Sequence, residues 1–196
     1  MTGALWASLT LTYHLASRLA YVLYIAFALK REEKHGYLTA RHGAEAGFRR
    51  FRRVASSLMN NDGASFVLLC VVTRHTLGPG LERPGAIAAG AVLVLLGVGV
   101  KLWAAATLGA RAYYWYNFFV ATGPVAPSTS GPYRFLKNPM YTVGYLQTYG
   151  LALVLGSLPG LLAAAFDQSA VLAFHRWVEQ PHFERLAVAT TPRSRP

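Results

Sequence analysis

Two stretches of the chain carry side chains whose types and spacing suit chemistry. The first is Gly131-Pro132-Tyr133-Arg134-Phe135-Leu136-Lys137-Asn138-Pro139-Met140-Tyr141, with Gly144 close behind. Asn is a favoured N-cap and Pro a favoured first helical residue, so Asn138-Pro139 predicts a helix start. Free N–H groups after such a cap form an anion site, helped by the helix dipole and by Lys137 or Arg134 nearby. On a helix from Pro139, the residues Asn138, Tyr141, Tyr145 and Thr148 fall on one face. The second stretch holds Gln168, His175 and Glu179, which share a later helix face, with Asp167 on a neighbouring face. Polar residues in an apolar helix are costly, so these read either as interhelical hydrogen bonds or as a site. His175 and His182 flank Pro181 without a third ligand, and no metal is expected there.

Five apolar stretches must position these groups: about 4–29, 64–77, 87–108, 139–158 and 160–178. A helix rising ~1.5 Å per residue needs ~20 residues to cross a ~30 Å hydrocarbon layer, and lipid offers the backbone no partners. The fold expected is therefore all-α: a polytopic membrane bundle of about five transmembrane helices forming one domain, 1–196. The first stretch lacks a basic start and carries His14 and Arg18, so it reads as a retained helix rather than a secretory signal. The single cysteine, Cys70, excludes an internal disulfide and reads as a packing residue. Stretches four and five form a helical hairpin turned at Gly156-Ser157-Leu158-Pro159-Gly160. Pro139 and Glu179 lie equally far from Pro159 in opposite directions, so both return to one depth and the two motifs should meet.

The formal net charge of +11 could suggest nucleic acid, but fifteen of the nineteen Lys/Arg residues fall on one side of the expected spans. Eight of them lie in the basic segment 30–53. This is the positive-inside pattern, with the N-terminus outside and the C-terminus cytoplasmic, and it explains the basicity without nucleic acid. Phe48-Arg49-Arg50-Phe51-Arg52-Arg53 reads either as a helix with its apolar side to lipid and its arginines on anionic headgroups, or as a solvated basic loop. Gly90, Gly97 and Gly99 suit close helix approach, and Lys101 is expected to snorkel. The run Arg111–Phe119 is an interfacial aromatic girdle, or else a wall for a bound cation or acyl chain. Gly123, Pro124, Pro127, Ser128 and Ser130 mark a loop after it.

The run Gly131–Tyr141 with Gly144, followed later by Glu179-Gln180-Pro181-His182-Phe183, resembles the integral-membrane methyltransferases that act on isoprenylcysteine carboxyl groups and phospholipid amines. Lys137-Asn138 stands where that family usually has Arg-His, and Gln180 replaces a second glutamate. The resemblance implies S-adenosylmethionine as cofactor, held by Tyr133, Arg134, Lys137, Asn138, Pro139, Met140, Tyr141, Gly144, Glu179 and Gln180. It implies a membrane lipid or other lipophilic acceptor arriving sideways at the cytoplasmic interface. An amine acceptor must lose a proton, for which His175, His182 and Glu179 are candidates, and a carboxylate acceptor would need a cation such as Arg111. Two other readings are a membrane reductase using NADPH and a non-catalytic lipid-binding or assembly factor. The sequence does not set the oligomeric state.

Overall fold

The computed structural model describes residues 2–78, 83–120 and 129–190, and every regular element among them is helical. In chain order these are α1 (Thr2–His35), α2 (Tyr37–His42), α3 (Ala44–Val72), α4 (Arg83–Tyr113), α5 (Leu146–Leu155), α6 (Leu158–Phe174) and α7 (Gln180–Thr190). Short 3-10 turns cover Tyr116–Phe118, Gly131–Arg134 and Val143–Tyr145, and a π-helical turn, His175–Glu179, joins α6 to α7.

The amphipathic pattern of α1 is inverted relative to a water-soluble helix. Leu5, Leu9, Leu19, Leu23 and Phe27 are exposed, whereas Thr10, His14, Ser17, Arg18, Tyr21 and Ile25 are buried. That buried face, with its 3.6-residue period, packs on α3 and α6. Elsewhere α4 lies against α5 through small residues. A Cβ on Gly90 would stand 2.7 Å from the carbonyl oxygen of Gly150, so only glycine permits this approach. Gly109 breaks α4 near its end with φ +75, a conformation that L side chains rarely adopt. Among the described residues one helix, Arg83–Phe118, is long and apolar enough to cross a membrane by length and composition.

Two apolar cores stand at opposite ends of the bundle. One gathers Tyr21, Ile25 and Leu29 of α1, Phe48, Phe51 and Ala55 of α3, and Trp115, Phe118, Phe119, Phe174 and Val178. The other gathers Phe66, Leu69 and Cys70 with Ala152, Ala163 and Ala164. Beside the second core the α5–α6 hairpin turns at Gly156, and Ser157 Oγ accepts from Gly160 N at 2.8 Å as the N-cap of α6. Thr73 Oγ1 lies 2.6 Å from Ser157 Oγ and ties the end of α3 to this turn. At the other end Glu33 of α1 accepts from His182 Nδ1 (2.7 Å) and from Arg185 (2.6 Å), so α7 docks on the C-terminal turns of α1.

Several sequence expectations change here. The second apolar stretch, 64–77, is the tail of a longer helix: α3 begins at Ala44 and ends at Val72, and Thr73–His75 form a turn. The basic segment is therefore partly helical, yet Phe48 and Phe51 are buried against Tyr24, Trp115, Tyr116 and Phe119 instead of facing lipid. Helical periodicity identifies a common face but cannot tell which solvent it meets. Lys101 is half-buried over the Tyr145 ring, at 5.8 Å from its centroid, and does not snorkel. Asn138-Pro139 does not start a helix. The chain turns through Pro139–Tyr145, with Gly144 N bonded to Pro139 O at 2.8 Å, and α5 begins only at Leu146. The anion site expected at a helix N-terminus is accordingly not formed at Asn138. The reason is tertiary: Gly144 is buried against α4, where a Cβ added to it would stand 3.4 Å from the Lys101 Cβ and 3.2 Å from Pro139 O. The loop residues Gly123, Pro124, Pro127 and Ser128, and the terminal arginines Arg193 and Arg195, lie outside the described residues.

Candidate active site

The hairpin brings the two sequence motifs together, as the equal residue counts from Pro159 to Pro139 and to Glu179 lead one to expect, although its first arm is α-helical only from Leu146. Tyr141 Oη donates to Glu179 Oε1 at 2.8 Å. The indole N–H of Trp115 donates to the same oxygen, and His175 Nδ1 lies 2.6 Å from Oε2. The Glu179 carboxylate, 6% exposed, thus sits among three donors from three elements. A carboxylate has about four acceptor positions, so one remains. Glu179 and His175 share the π-helical turn, a feature that recurs at functional sites because it re-aims side chains within a helix. Tyr133 lies close by, and burial together with the Glu179 charge pushes its phenol up to about 12. It is a donor at neutral pH.

A cavity of about 470 Å³ opens from this cluster toward the middle of the bundle, within the size range of small-molecule sites. Trp115, Met140 and Tyr141 line its near end, Tyr21, Tyr113 and Tyr145 its sides, and Arg18, Asp62, Lys101 and Asp167 its far end. Arg18 holds Asp167 bidentately, Nε to Oδ1 at 2.8 Å and Nη2 to Oδ2 at 2.9 Å. His14 Nε2 lies 3.2 Å from Asp167 Oδ2, and Arg18 Nη1 donates to Tyr145 Oη at 3.1 Å. This polar layer separates the two apolar cores.

Of the residues singled out in the sequence, Tyr141 and Met140 line the cavity's near end, and Glu179 and His175 stand outside that lining, Glu179 bonded to Tyr141 and His175 to Glu179. Tyr145 and Thr148 line the cavity, as their shared face implies. Pro139 and Gly144 are buried beside the turn and supply its backbone, while Asn138 O accepts from Thr142. Others stand apart. Arg134 and Lys137 are exposed and do not line the cavity. Arg111 is exposed and pairs with Glu45 at 3.7 Å. His182 stacks on Phe118 with ring centroids 3.6 Å apart and bonds Glu33, and Gln180 bonds Glu184 along α7. Gln168 makes interhelical bonds, donating to Tyr141 O (3.1 Å) and accepting from Tyr149 Oη (2.8 Å). Among the described residues no cluster of His, Cys, Asp or Glu suits a metal ion.

Sequence reasoning missed Asp62, Trp115 and the role of Lys101. Trp115 was visible only as a member of an aromatic run. Asp62 stood just outside the second apolar stretch, and the signal that marks it is its helical register with the buried Ser65, Phe66 and Leu69.

A sequence model of the phospholipid methyltransferase family matches residues 86–186, which run from α4 into α7. The match includes Lys101, Trp115, Tyr141, Asp167, His175 and Glu179, but not Arg18 or Asp62. The phosphatidylethanolamine N-methyltransferase of Aspergillus niger is 31% identical over 147 residues, covering 74% of this chain and 14% of that protein. The enzyme of the same name from Coccidioides posadasii is 33% identical over 147 residues, covering 74% of this chain and 15% of that protein. That of Saccharomyces cerevisiae is 34% identical over 96 residues, covering 49% of this chain and 11% of that protein. The chain thus spans about one seventh of the length of the first two relatives. No solved structure matches it. On the family match, which takes in more than half of the sequence and all of the Glu179 cluster, the chain belongs to the phospholipid methyltransferase family.

Proposed function

We propose that the protein transfers the methyl group of S-adenosylmethionine to the amine of a membrane phospholipid. The observation that carries this reading is the cavity joined to the Glu179 cluster. Its walls include Trp115, Tyr141, Tyr145, Tyr21 and Tyr113, and aromatic faces attract onium groups, so the residues present fit a sulfonium. When bound, the cofactor supplies an electrophilic methyl group on that sulfonium. The chain's own residues do the rest. Glu179 fixes the Trp115 indole and the Tyr141 phenol, and through them the shape of the near wall. Met140 lines the same end, Tyr133 lies near Glu179, and His175 bonds Glu179 from the π-helical turn. Methyl transfer is an in-line displacement, so alignment and exclusion of water are the main protein contributions.

The membrane setting follows from the outward faces. Exposed Leu5, Leu9, Leu23 and Phe27 on α1, Val67, Leu68 and Val71 on α3, Leu95, Leu96 and Leu102 on α4, and Leu162 on α6 form an apolar surface that suits lipid. Five crossings by α1, the later part of α3, α4, the segment 139–155 whose turns lead into α5, and α6, with the basic end in the cytoplasm, would satisfy both this surface and the charge asymmetry. The reductase reading has less support, because Arg134 and Lys137, its expected phosphate ligands, are exposed and outside the cavity lining.

Purified protein titrated with S-adenosylmethionine in a calorimeter should give saturable heat, and NADPH should give none. In vesicles of phosphatidylethanolamine, label from the methyl group should appear in the lipid. An absence of heat at millimolar cofactor removes the proposal.

A further inference from the structure

We propose that Asp62 and Lys101 receive the headgroup of a zwitterionic amino-phospholipid, and that the Asp62 carboxylate takes the proton its amine must lose. This inference rests on the methyltransferase reading above and assigns residues to the acceptor rather than to the methyl donor.

The charges at the far end of the cavity divide into used and unused. Both oxygens of Asp167 are held by Arg18, and His14 adds a further contact. Arg18 spends its remaining capacity on Tyr145 Oη and, at 2.6 Å, on Asp62 Oδ2. Asp62 Oδ1 is buried and has no hydrogen-bond partner among the described residues, although the Asp62 side chain is only 5% exposed. Leaving such a buried acceptor unpaired is costly, so the site suits a donor that the described residues do not supply. Lys101 lines the same cavity from α4, within electrostatic reach of Asp62. Its ammonium makes no hydrogen bond among the described residues; it lies over the Tyr145 ring and near the charges of Arg18 and Asp62. Among the described residues the cavity thus sets two cations against two carboxylates and keeps one unbonded carboxylate oxygen and one unbonded ammonium.

A ligand that carries both signs completes this arrangement. A phosphate suits Lys101, and an ammonium with N–H groups suits Asp62 Oδ1. An anionic headgroup without an amine would leave Asp62 unpaired, and a quaternary ammonium has no N–H to donate. Access is lateral. Helices α3 and α4 scarcely touch, and Gly63, Val67, Val94 and Val98 line the cavity between them. Val67 and Val98 are also exposed on the outer surface, so acyl chains can remain outside while the headgroup enters.

The chemistry balances. A primary ammonium gives one N–H proton to Asp62 Oδ1, leaving a neutral amine with a free electron pair. That pair forms the new N–C bond while the C–S bond breaks and its electrons stay on sulfur as a thioether. The product is a secondary ammonium, and the proton on Asp62 passes to water before the next transfer. General-base help of this kind is worth about 10²–10⁴ in rate.

The test uses Asp62→Asn, which keeps an oxygen for Arg18, and Lys101→Met, which removes an ammonium that makes no hydrogen bond among the described residues. Asp62→Asn should lower kcat/KM for phosphatidylethanolamine about 100-fold or more and flatten the acidic limb of the pH–rate profile. Its affinity for S-adenosylmethionine should stay within about twofold of wild type, because the Glu179 cluster is untouched. Lys101→Met should raise KM for the lipid about tenfold with little change in kcat, as expected for a lost charge-assisted contact. Native mass spectrometry of cofactor-free protein should show wild type retaining phosphatidylethanolamine over phosphatidylglycerol, and Asp62→Asn losing that preference. If Asp62→Asn does not fold, Lys101→Met and the wild-type lipid preference decide. Wild-type kinetics in the variants, or no wild-type preference between the lipids, overturns the inference and leaves the activity standing. A wild-type protein that binds no cofactor and methylates no lipid overturns the activity itself.

Discussion

Glu179 and Asp167 sit on one continuous helical segment, both buried, and each is held by three or more contacts, yet their partners differ in kind. Asp167 holds the guanidinium of Arg18 and the imidazole of His14, both brought from α1 to α6. Glu179 is held by an indole, a phenol and an imidazole, all belonging to residues at or beside the cavity's near end. The first arrangement joins helices, because a buried guanidinium without its counter-ion is costly. The second orients rings, because each ring N–H or O–H is aimed at a fixed carboxylate oxygen. The same residue chemistry therefore serves packing at one depth and positioning at another.

The largest expected effect separates these roles. Asp167→Ala leaves Arg18 buried with only part of its compensation, and such broken pairs typically lose about 3–5 kcal/mol. Thermal or denaturant unfolding in detergent should show this loss, and replacing the whole charged group by Arg18→Met, Asp167→Leu and Asp62→Leu together should recover most of it. A single Asp167→Ala variant as stable as wild type would show that the layer does not hold the bundle. Glu179→Gln should instead cost only about 0.5–1.5 kcal/mol, since an amide oxygen in the place of Oε1 still accepts from both Trp115 and Tyr141. Its cofactor affinity should nevertheless fall about tenfold, as a neutral amide holds those two rings more weakly and turns its NH2 toward His175, measured by calorimetry. Equal destabilisation by the two substitutions would erase the comparison.

What could be read from the chain follows the same division. The Glu179 cluster was legible because a hairpin of matched arms, turned at Gly156-Ser157, fixes depth by simple helical rise. The aromatic run before it was visible as a candidate wall. The Arg18–Asp167 pair was not legible, because its partners stand 149 residues apart and no periodicity links them. Arg18 and Asp167 could each be flagged as an unusual charge in an apolar stretch, but not matched. The start of α5 was misread for a different reason. Asn138-Pro139 satisfies every local rule for a helix start, yet Gly144 packs on Lys101 and the chain stays in turns until Leu146. Tertiary contact overrode local propensity there.

A pH-dependent contact sharpens the contrast at the bundle's basic end. Burial alone would raise the Glu33 carboxyl, but the hydrogen bonds from Arg185 and His182 outweigh it and hold the group below its ordinary value. A carboxylate with a depressed native pKa stabilises fully above its unfolded value and loses that contribution as pH falls through the folded value. The docking of α7 on α1 should therefore be constant from neutral pH to about 4.5, the ordinary Glu value, and weaken below it. Protection from hydrogen exchange across 180–186, corrected for the intrinsic pH dependence of amide exchange, should fall in that acidic window, and in Glu33→Gln that protection should not change with pH. Acid sensitivity persisting in Glu33→Gln would assign it to another group.

The smallest effect concerns two residues that a helix start at Pro139 would have made important. Had α5 begun there, its free N–H groups with Lys137 and Arg134 would have formed one positive site, and losing either cation would weaken anion binding. In the structure the segment before Leu146 turns on itself, its amides bonding Asn138 and Pro139 carbonyls, while both cations stand exposed away from the cavity. Exposed cations outside such networks are typically worth within ±0.5 kcal/mol to stability. Arg134→Ala and Lys137→Ala should thus leave the unfolding midpoint nearly unchanged and cofactor affinity within about twofold at physiological salt, where screening acts over ~8 Å. A tenfold loss of affinity in either variant, abolished at 1 M salt, would mean that these side chains reach the cofactor after all. The near wall formed by Trp115, Tyr141 and Glu179 would then be only half of its binding site.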